Sequence, residues 1–168
     1  DYKYTGGSPE GGLIGLADKT VAIIGTGATA VQCVAALGEG AKQLYVFQRT
    51  PSSVDARNNA ETDPEWARNL KPGWQKERQK KFGEAFLGGS VDPAFIDDGW
   101  TRLTRNLSDL AGRAQGKVAD LTQLADFKTM EQIRSLVDDT VKNPEVAEKL
   151  KAYYNQFCKR PTFNDFYL

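Results

Sequence analysis

Residues Gly25-Thr26-Gly27-Ala28-Thr29-Ala30 carry a Gly-x-Gly-x-x-Ala spacing. A dinucleotide's pyrophosphate uses that spacing when it follows a strand and opens a helix. Gly25 makes a turn that a Cβ would obstruct, Gly27 lets the backbone approach a phosphate closely, and Ala30 keeps the helix near the strand. The phosphates then rest on unpaired N–H groups at the helix N-terminus, where the dipole favours negative charge. Glycine turns of this kind also serve packing alone, so the flanks decide. Upstream, residues 20–24 form a short β-branched run that reads as a buried strand. Downstream, Val31, Val34, Ala35 and Leu37 recur at helical spacing until Gly38 and Gly40 end the helix.

A second apolar run at residues 44–47 predicts the strand that selects the nucleotide. An NAD site places Asp or Glu near the end of this strand, about 20 residues beyond the glycines, to bond the ribose 2′-hydroxyl. Here that place holds Gln48-Arg49-Thr50-Pro51. A carboxylate would repel a 2′-phosphate, whereas Arg49 offers a planar fork of donors and Thr50 a hydroxyl. The expected ligand is therefore NADP(H), with a solvated strand-end arginine as the plain alternative.

Composition narrows the rest. The 168 residues hold 22 basic and 22 acidic side chains, with no histidine. Basic and acidic residues balance in 1–60 and again in 61–168, so no basic face points to nucleic acid. Without histidine, Ser-His-Asp and Cys-His catalysis and His-ligated metal sites are excluded. Cys33 and Cys158 form no Cys-x-x-Cys pair, so no metal is expected and a reduced, cytoplasmic setting is the expectation. No apolar run approaches the length of a membrane span, and no signal peptide is read at the start. The chain begins at Asp1 and runs through Gly6-Gly7-Ser8-Pro9 and Gly11-Gly12, which reads as a loop leading into a domain excised from a longer chain.

From Asp63 onward the pattern is helical. Asp63-Pro64, Asp92-Pro93 and Asn143-Pro144 each place an N-cap before a first-turn proline. Thr129-Met130-Glu131-Gln132 fits a capping box ahead of an apolar stripe at Ile133, Leu136, Val137 and Val141. Four or five short helices are expected. Phe82 and Phe86 are read as core on a helix beginning near Trp74 and ended by Gly88-Gly89, while Lys76, Arg78, Lys80 and Lys81 alternate with Glu77 and Glu84 as a solvated face. Pro161 makes Arg160 extended, ending the last helix and presenting Lys159 and Arg160 in a loop; spacing alone favours plain helix-end charges. The fold class expected is α/β: a partial Rossmann-like βαβ unit of two parallel strands, then a mainly helical insertion. The segments are a lead-in loop (1–19), an NADP-binding half-module (20–60), the helical insertion (61–157) and a return loop (158–168). Two strands alone leave open edges and apolar faces.

Residues 25–32, Phe47-Gln48-Arg49-Thr50-Pro51-Ser52, Asp63-Pro64-Glu65-Trp66 and Cys158-Lys159-Arg160-Pro161 together resemble the flavin-dependent Baeyer-Villiger monooxygenases, in the right order over nearly the whole chain. In that family NADPH reduces an FAD held by a separate domain, and a C4a-peroxyflavin formed with O2 converts a ketone to an ester or lactone. The resemblance implies that Gly25, Thr26, Gly27, Ala28, Thr29, Ala30 and Gln32 belong to the cofactor turn. It assigns Arg49, Thr50 and Lys159 to the 2′-phosphate, and Arg160 to the flavin, where its charge stabilises the anionic peroxide. The family's FAD glycine motif and its fingerprint histidine are absent from these residues. The expectation is an NADPH-binding segment that is inactive alone, with the FAD domain, a small ketone and O2 as partners and no membrane partner.

Two other readings share these residues: a non-catalytic NADP(H)-sensing module, and a flavin monooxygenase that oxidises heteroatoms. A short-chain dehydrogenase is disfavoured, because no Tyr is followed four residues later by Lys. The nucleotide assignment makes a direct prediction. Arg49→Ala is expected to weaken NADPH binding about tenfold or more in calorimetric titration while NADH binding stays nearly unchanged. Equal losses for both nucleotides would remove Arg49 from the 2′-phosphate.

Overall fold

The computed structural model describes residues 12–87, 89, 91–93, 95–113 and 118–168. These fall into two compact units. One joins the described residues up to Asp55 with Thr129–Leu168; the other is Ala56–Lys128. Residues 129–157 cluster with the described residues up to Asp55 in this division.

In the first unit, β1 (Thr20–Ile24) pairs in parallel with β2 (Gln43–Phe47), in register from Thr20 opposite Gln43 to Ile24 opposite Phe47. Helix α1 (Ala28–Gly40) makes the crossover, which a parallel pair requires. Burial alternates along β1, with Val21 and Ile23 half-buried, and Val31 of α1 is 1% exposed. The opposite sheet face carries Ile24, Tyr45 and Phe47, all exposed, the open apolar face that two strands leave. A second parallel pair was not anticipated: β3 (Val54–Asp55) beside β4 (Thr162–Phe163). Strands of two residues have no periodicity to read.

The helices are α2 (Pro64–Arg68), α3 (Trp74–Phe86), α4 (Gly99–Arg113), α5 (Val118–Thr140) and α6 (Pro144–Leu150). Asp63 caps α2 through the Glu65 N–H at 2.8 Å. Asn143 caps α6 through the Glu145 and Val146 N–H groups. Asp92 does not open a helix; the box sits at Asp98, whose Oδ1 accepts from Thr101 N while Thr101 Oγ1 accepts from Asp98 N, both at 2.9 Å. Asp98 wins because a hydroxyl stands three residues on to reciprocate. Thr129 is a second correction. It lies inside α5, so no capping box forms, and this helix is long rather than short. Of the stripe behind it, Ile133 and Val137 are buried and Leu136 and Val141 half-buried, and Met130 joins the buried face.

The core reading of Phe86 is also corrected. Phe82 and Phe86 do stack, with centroids 6.3 Å apart, and Phe86 meets Trp100 of α4, but Phe86 is 53% exposed and Ala85 takes the buried position. Gly89 N–H returns to Glu84 O at 2.9 Å; Gly88 lies outside the described residues. Lys80, exposed, and Lys81, half-buried, both pair with Glu84. The last helix stops at Leu150 rather than at Pro161, and a 3-10 turn (Gln156–Cys158) precedes the two cations. No helix among the described residues is long and apolar enough to cross a membrane.

Residues 151–154 are tied to the first unit by charge and packing. Lys151 Nζ lies 2.8 Å from Asp138 and 3.2 Å from Glu148, and Tyr153 donates to Glu148. The Tyr153 hydrogen bond, then Lys151, holds the Glu148 carboxyl below the usual carboxylate range. Arg134 Nη1 donates to Ala152 O at 2.9 Å, and Ala152 packs with Met130, Ile133 and Tyr154.

The turn after β1 separates two roles for glycine. Gly25 has φ +93° and donates its N–H to Phe47 O at 2.7 Å. Gly27 has φ −72° and open space where a Cβ would stand. Gly25→Ala is therefore expected to destabilise by about 1–2 kcal/mol, the cost of a Cβ in left-handed backbone, whereas Gly27→Ala leaves the melting temperature within a degree or so. Thermal denaturation of both variants checks this; equal losses would contradict it.

Candidate functional site

The C-terminal edge of the β1–β2 pair opens onto a cleft of about 580 Å³. Its apolar wall is Ile24 and Phe47; its polar wall comes from three separate stretches, the glycine turn, the end of β2 and the loop before β4. Such crevices outside the carboxyl ends of parallel strands are where this layout binds ligands. Of the residues expected from sequence, Gly25, Thr26, Gly27, Ala28, Arg49, Thr50, Lys159 and Arg160 all line it. Thr29, Ala30 and Gln32 do not. All three lie within α1, where Gln32 Nε2 donates to Ala28 O at 2.9 Å.

Charge in the cleft has one sign. Gly27 is the N-cap of α1, no side chain caps the helix and its first turn holds no acidic residue. Arg49, Lys159 and Arg160 contribute three cations, and among the described residues no carboxylate lines the cleft. Arg49 and Arg160 are exposed and make no hydrogen bond or ion pair with the described residues. Their donors are free to meet an anion, and the bare helix N-terminus adds partial positive charge beside them. Lys159 is partly committed: its Nζ donates to Thr50 O at 3.1 Å and lies 5.3 Å from the centroid of the Tyr154 ring. An ammonium has three donors, so it can still bind a ligand from that position.

The parts of the cleft are cross-tied. Ser52 Oγ donates to Thr26 O, and Thr26 Oγ1 reaches Thr50 O at 3.5 Å, joining the glycine turn to the end of β2. Tyr154 Oη donates to Pro51 O at 2.8 Å and accepts from Ser53 N at 3.0 Å. Burial pushes the Tyr154 phenol above its ordinary value, against the Ser53 hydrogen bond that lowers it, so it stays a neutral donor. Thr162 N and Oγ1 both donate to Ser53 O, at 3.3 and 2.7 Å. Sequence reasoning missed Tyr154 and Thr162 as contributors and quoted Ser52 only within a phrase. Their partners are more than a hundred residues away for the first two, and nothing local signals such pairings.

The comparisons with known proteins agree with this geometry. No protein-family model matches the sequence. A Baeyer-Villiger monooxygenase of Stachybotrys chlorohalonatus is 53% identical over 175 residues, covering 100% of this chain and 28% of that protein. Neopentalenolactone D synthase of Streptomyces avermitilis is 49% identical, covering 100% of this chain and 29% of its own length. Among solved structures, a polycyclic ketone monooxygenase of Thermothelomyces thermophila matches 99% of this chain and 29% of its own, with TM-score 0.74 and 38% identity. A cyclohexanone monooxygenase variant of Rhodococcus bound to NADP+ matches 90% of this chain and 31% of its own, with TM-score 0.61 and 26% identity. The chain thus spans under a third of the length of these proteins. Along all of that span, in sequence and in fold, it is similar to Baeyer-Villiger monooxygenases.

Proposed function

We propose that the cleft binds NADP(H) and that the protein to which this stretch belongs uses it, with FAD, to convert a small ketone and O2 into an ester or lactone. The observation that carries the nucleotide reading is the meeting of an uncapped helix N-terminus with three cations and no carboxylate in one cleft. The pyrophosphate would lie over the Gly25–Ala28 turn, where Gly27 leaves open space. Arg49, Thr50 and Lys159 would hold the 2′-phosphate, with Thr29, Ala30 and Gln32 supporting the turn from α1. An Asp or Glu at the end of β2 would favour NAD instead, and none is there. The NADP+-bound cyclohexanone monooxygenase, similar in fold, supports the same ligand.

The flavin supplies the redox chemistry when bound. This stretch has one glycine turn of the dinucleotide type, and we assign it to NADPH, so the flavin falls to a domain outside it and the stretch alone is inactive. Arg160 lines the cleft without a partner among the described residues. Its guanidinium stays charged at any working pH and would counter negative charge that develops during oxygen transfer. We assign residues 20–60 and 158–168 to nucleotide binding and 61–157 to a helical insertion. The cytoplasm is the setting we propose, consistent with two free cysteines.

Two variants test this. Gly27→Ala, neutral to folding by the geometry above, is expected to lose NADPH binding tenfold or more (about 1.4 kcal/mol) in calorimetric titration; unchanged affinity would leave the turn with a packing role only. In the complete flavoprotein, Arg160→Ala is expected to keep NADPH reduction of the flavin and lose ester formation, with oxygen uptake appearing as hydrogen peroxide. A normal ester yield would remove Arg160 from the reaction.

A further inference from the structure

Tyr154 contacts both the Lys159 ammonium and the peptide that leaves β2, without lining the cleft itself. Its hydroxyl brackets Ser52, donating to Pro51 O on one side and accepting from Ser53 N on the other. Between those two bonds, Ser52 holds the glycine turn through Thr26 O. Its ring lies under the Lys159 ammonium, which also bonds Thr50 O, the carbonyl just before the bracketed peptides. A cation at 5.3 Å from a ring centroid is within the range of attraction to the ring face. The ring is fixed in turn: it packs on Met130, Ile133 and Ala152, and Ala152 is 1% exposed with its carbonyl held by Arg134.

From this geometry we infer that Tyr154 is a positioning residue that sets the preference for a 2′-phosphorylated nucleotide by fixing Lys159 and the Thr50–Ser53 peptides in one arrangement. The inference rests on the NADP(H) reading of the cleft. Its two handles are separable. The hydroxyl holds the Pro51 and Ser53 peptide groups that follow the Thr50 carbonyl to which Lys159 donates, whereas the ring supports the ammonium directly. Removing the hydroxyl leaves the Pro51 carbonyl and the Ser53 N–H without their partner in a half-buried place, and they regain bonds only if the loop moves. A loop that moves takes Thr50 O with it, so Lys159 loses its fixed position. NADH makes no use of that position.

The test is calorimetric titration of the complete protein with NADPH and with NADH, using Tyr154→Phe, Lys159→Met and the double variant. Tyr154→Phe is expected to weaken NADPH about fivefold or more and NADH less than twofold. In the Lys159→Met background the same change is expected to have no further selective effect, because a residue acting through Lys159 has nothing left to act on. Equal losses for both nucleotides, or full additivity with Lys159→Met, would overturn the inference. Arg49→Ala in the same series separates the failures: if it abolishes NADPH preference while Tyr154→Phe does not, the cleft reading stands and the role of Tyr154 falls. A second measurement needs no variant. Exchange of the Ser53 amide in the wild-type protein is expected to slow at least fivefold more with NADPH than with NADH at saturation, and equal protection would count against the proposal.

Discussion

The hydrogen bonds made by the four residues Thr50–Ser53 are what the candidate site depends on. This short peptide leaves β2, and three other parts of the cleft are bonded or packed to it. The glycine turn is tied to it through Thr26 and Ser52, the loop before β4 through Thr162, and the Lys159 ammonium through Thr50 O. Tyr154 closes the set from the far side. Net stabilisation from one such bond is modest, about 1 kcal/mol. Their joint effect is geometric: they bring residues separated by more than a hundred positions to one edge of a two-stranded sheet.

Against that bonded frame stand the groups left without partners. The α1 N-terminus has no side-chain cap, although Ser, Thr, Asp or Asn at the N-cap would add stability of about 1 kcal/mol. Gly27 stands there instead, with backbone dihedrals open to any residue and space where a Cβ could go. Arg49 and Arg160 reach into the same cleft without an acidic neighbour lining it. A chain selected for stability alone gains nothing from this arrangement. An anionic ligand accounts for all three features at once, and departures from local consistency of this kind mark functional places.

Much of this was legible in the sequence where the signal was local. The run at Thr20–Ile24, the glycines after it and the apolar spacing of α1 fix one another, because strand, turn and helix each show their own period. Arg49 was legible by its distance from the glycines. Asp63 and Asn143 were legible as caps because their proline follows at once, but the same pattern misled at Asp92, where Phe95 rather than a hydroxyl residue stands three positions on, as Thr101 does for Asp98. Thr129 misled because a capping-box spelling inside a continuous apolar stripe is overridden by the stripe. The pairing of β3 with β4 and the bracket made by Tyr154 left no trace, since each needs two distant stretches to meet before it has any meaning. Resemblance to known monooxygenases supplied the pairing of Lys159 with Arg49 that spacing alone did not.

The proposed recognition of a 2′-phosphate by the cleft is tested most directly by calorimetric titration of the wild-type protein with NADPH and with NADH at low and at moderate salt, with far-UV circular dichroism on the same sample to establish folding. NADPH is expected to bind tighter by about tenfold or more at low salt, with the difference narrowing as salt screens the exposed cations. Equal affinity for the two nucleotides, or no binding by a folded protein, would contradict it.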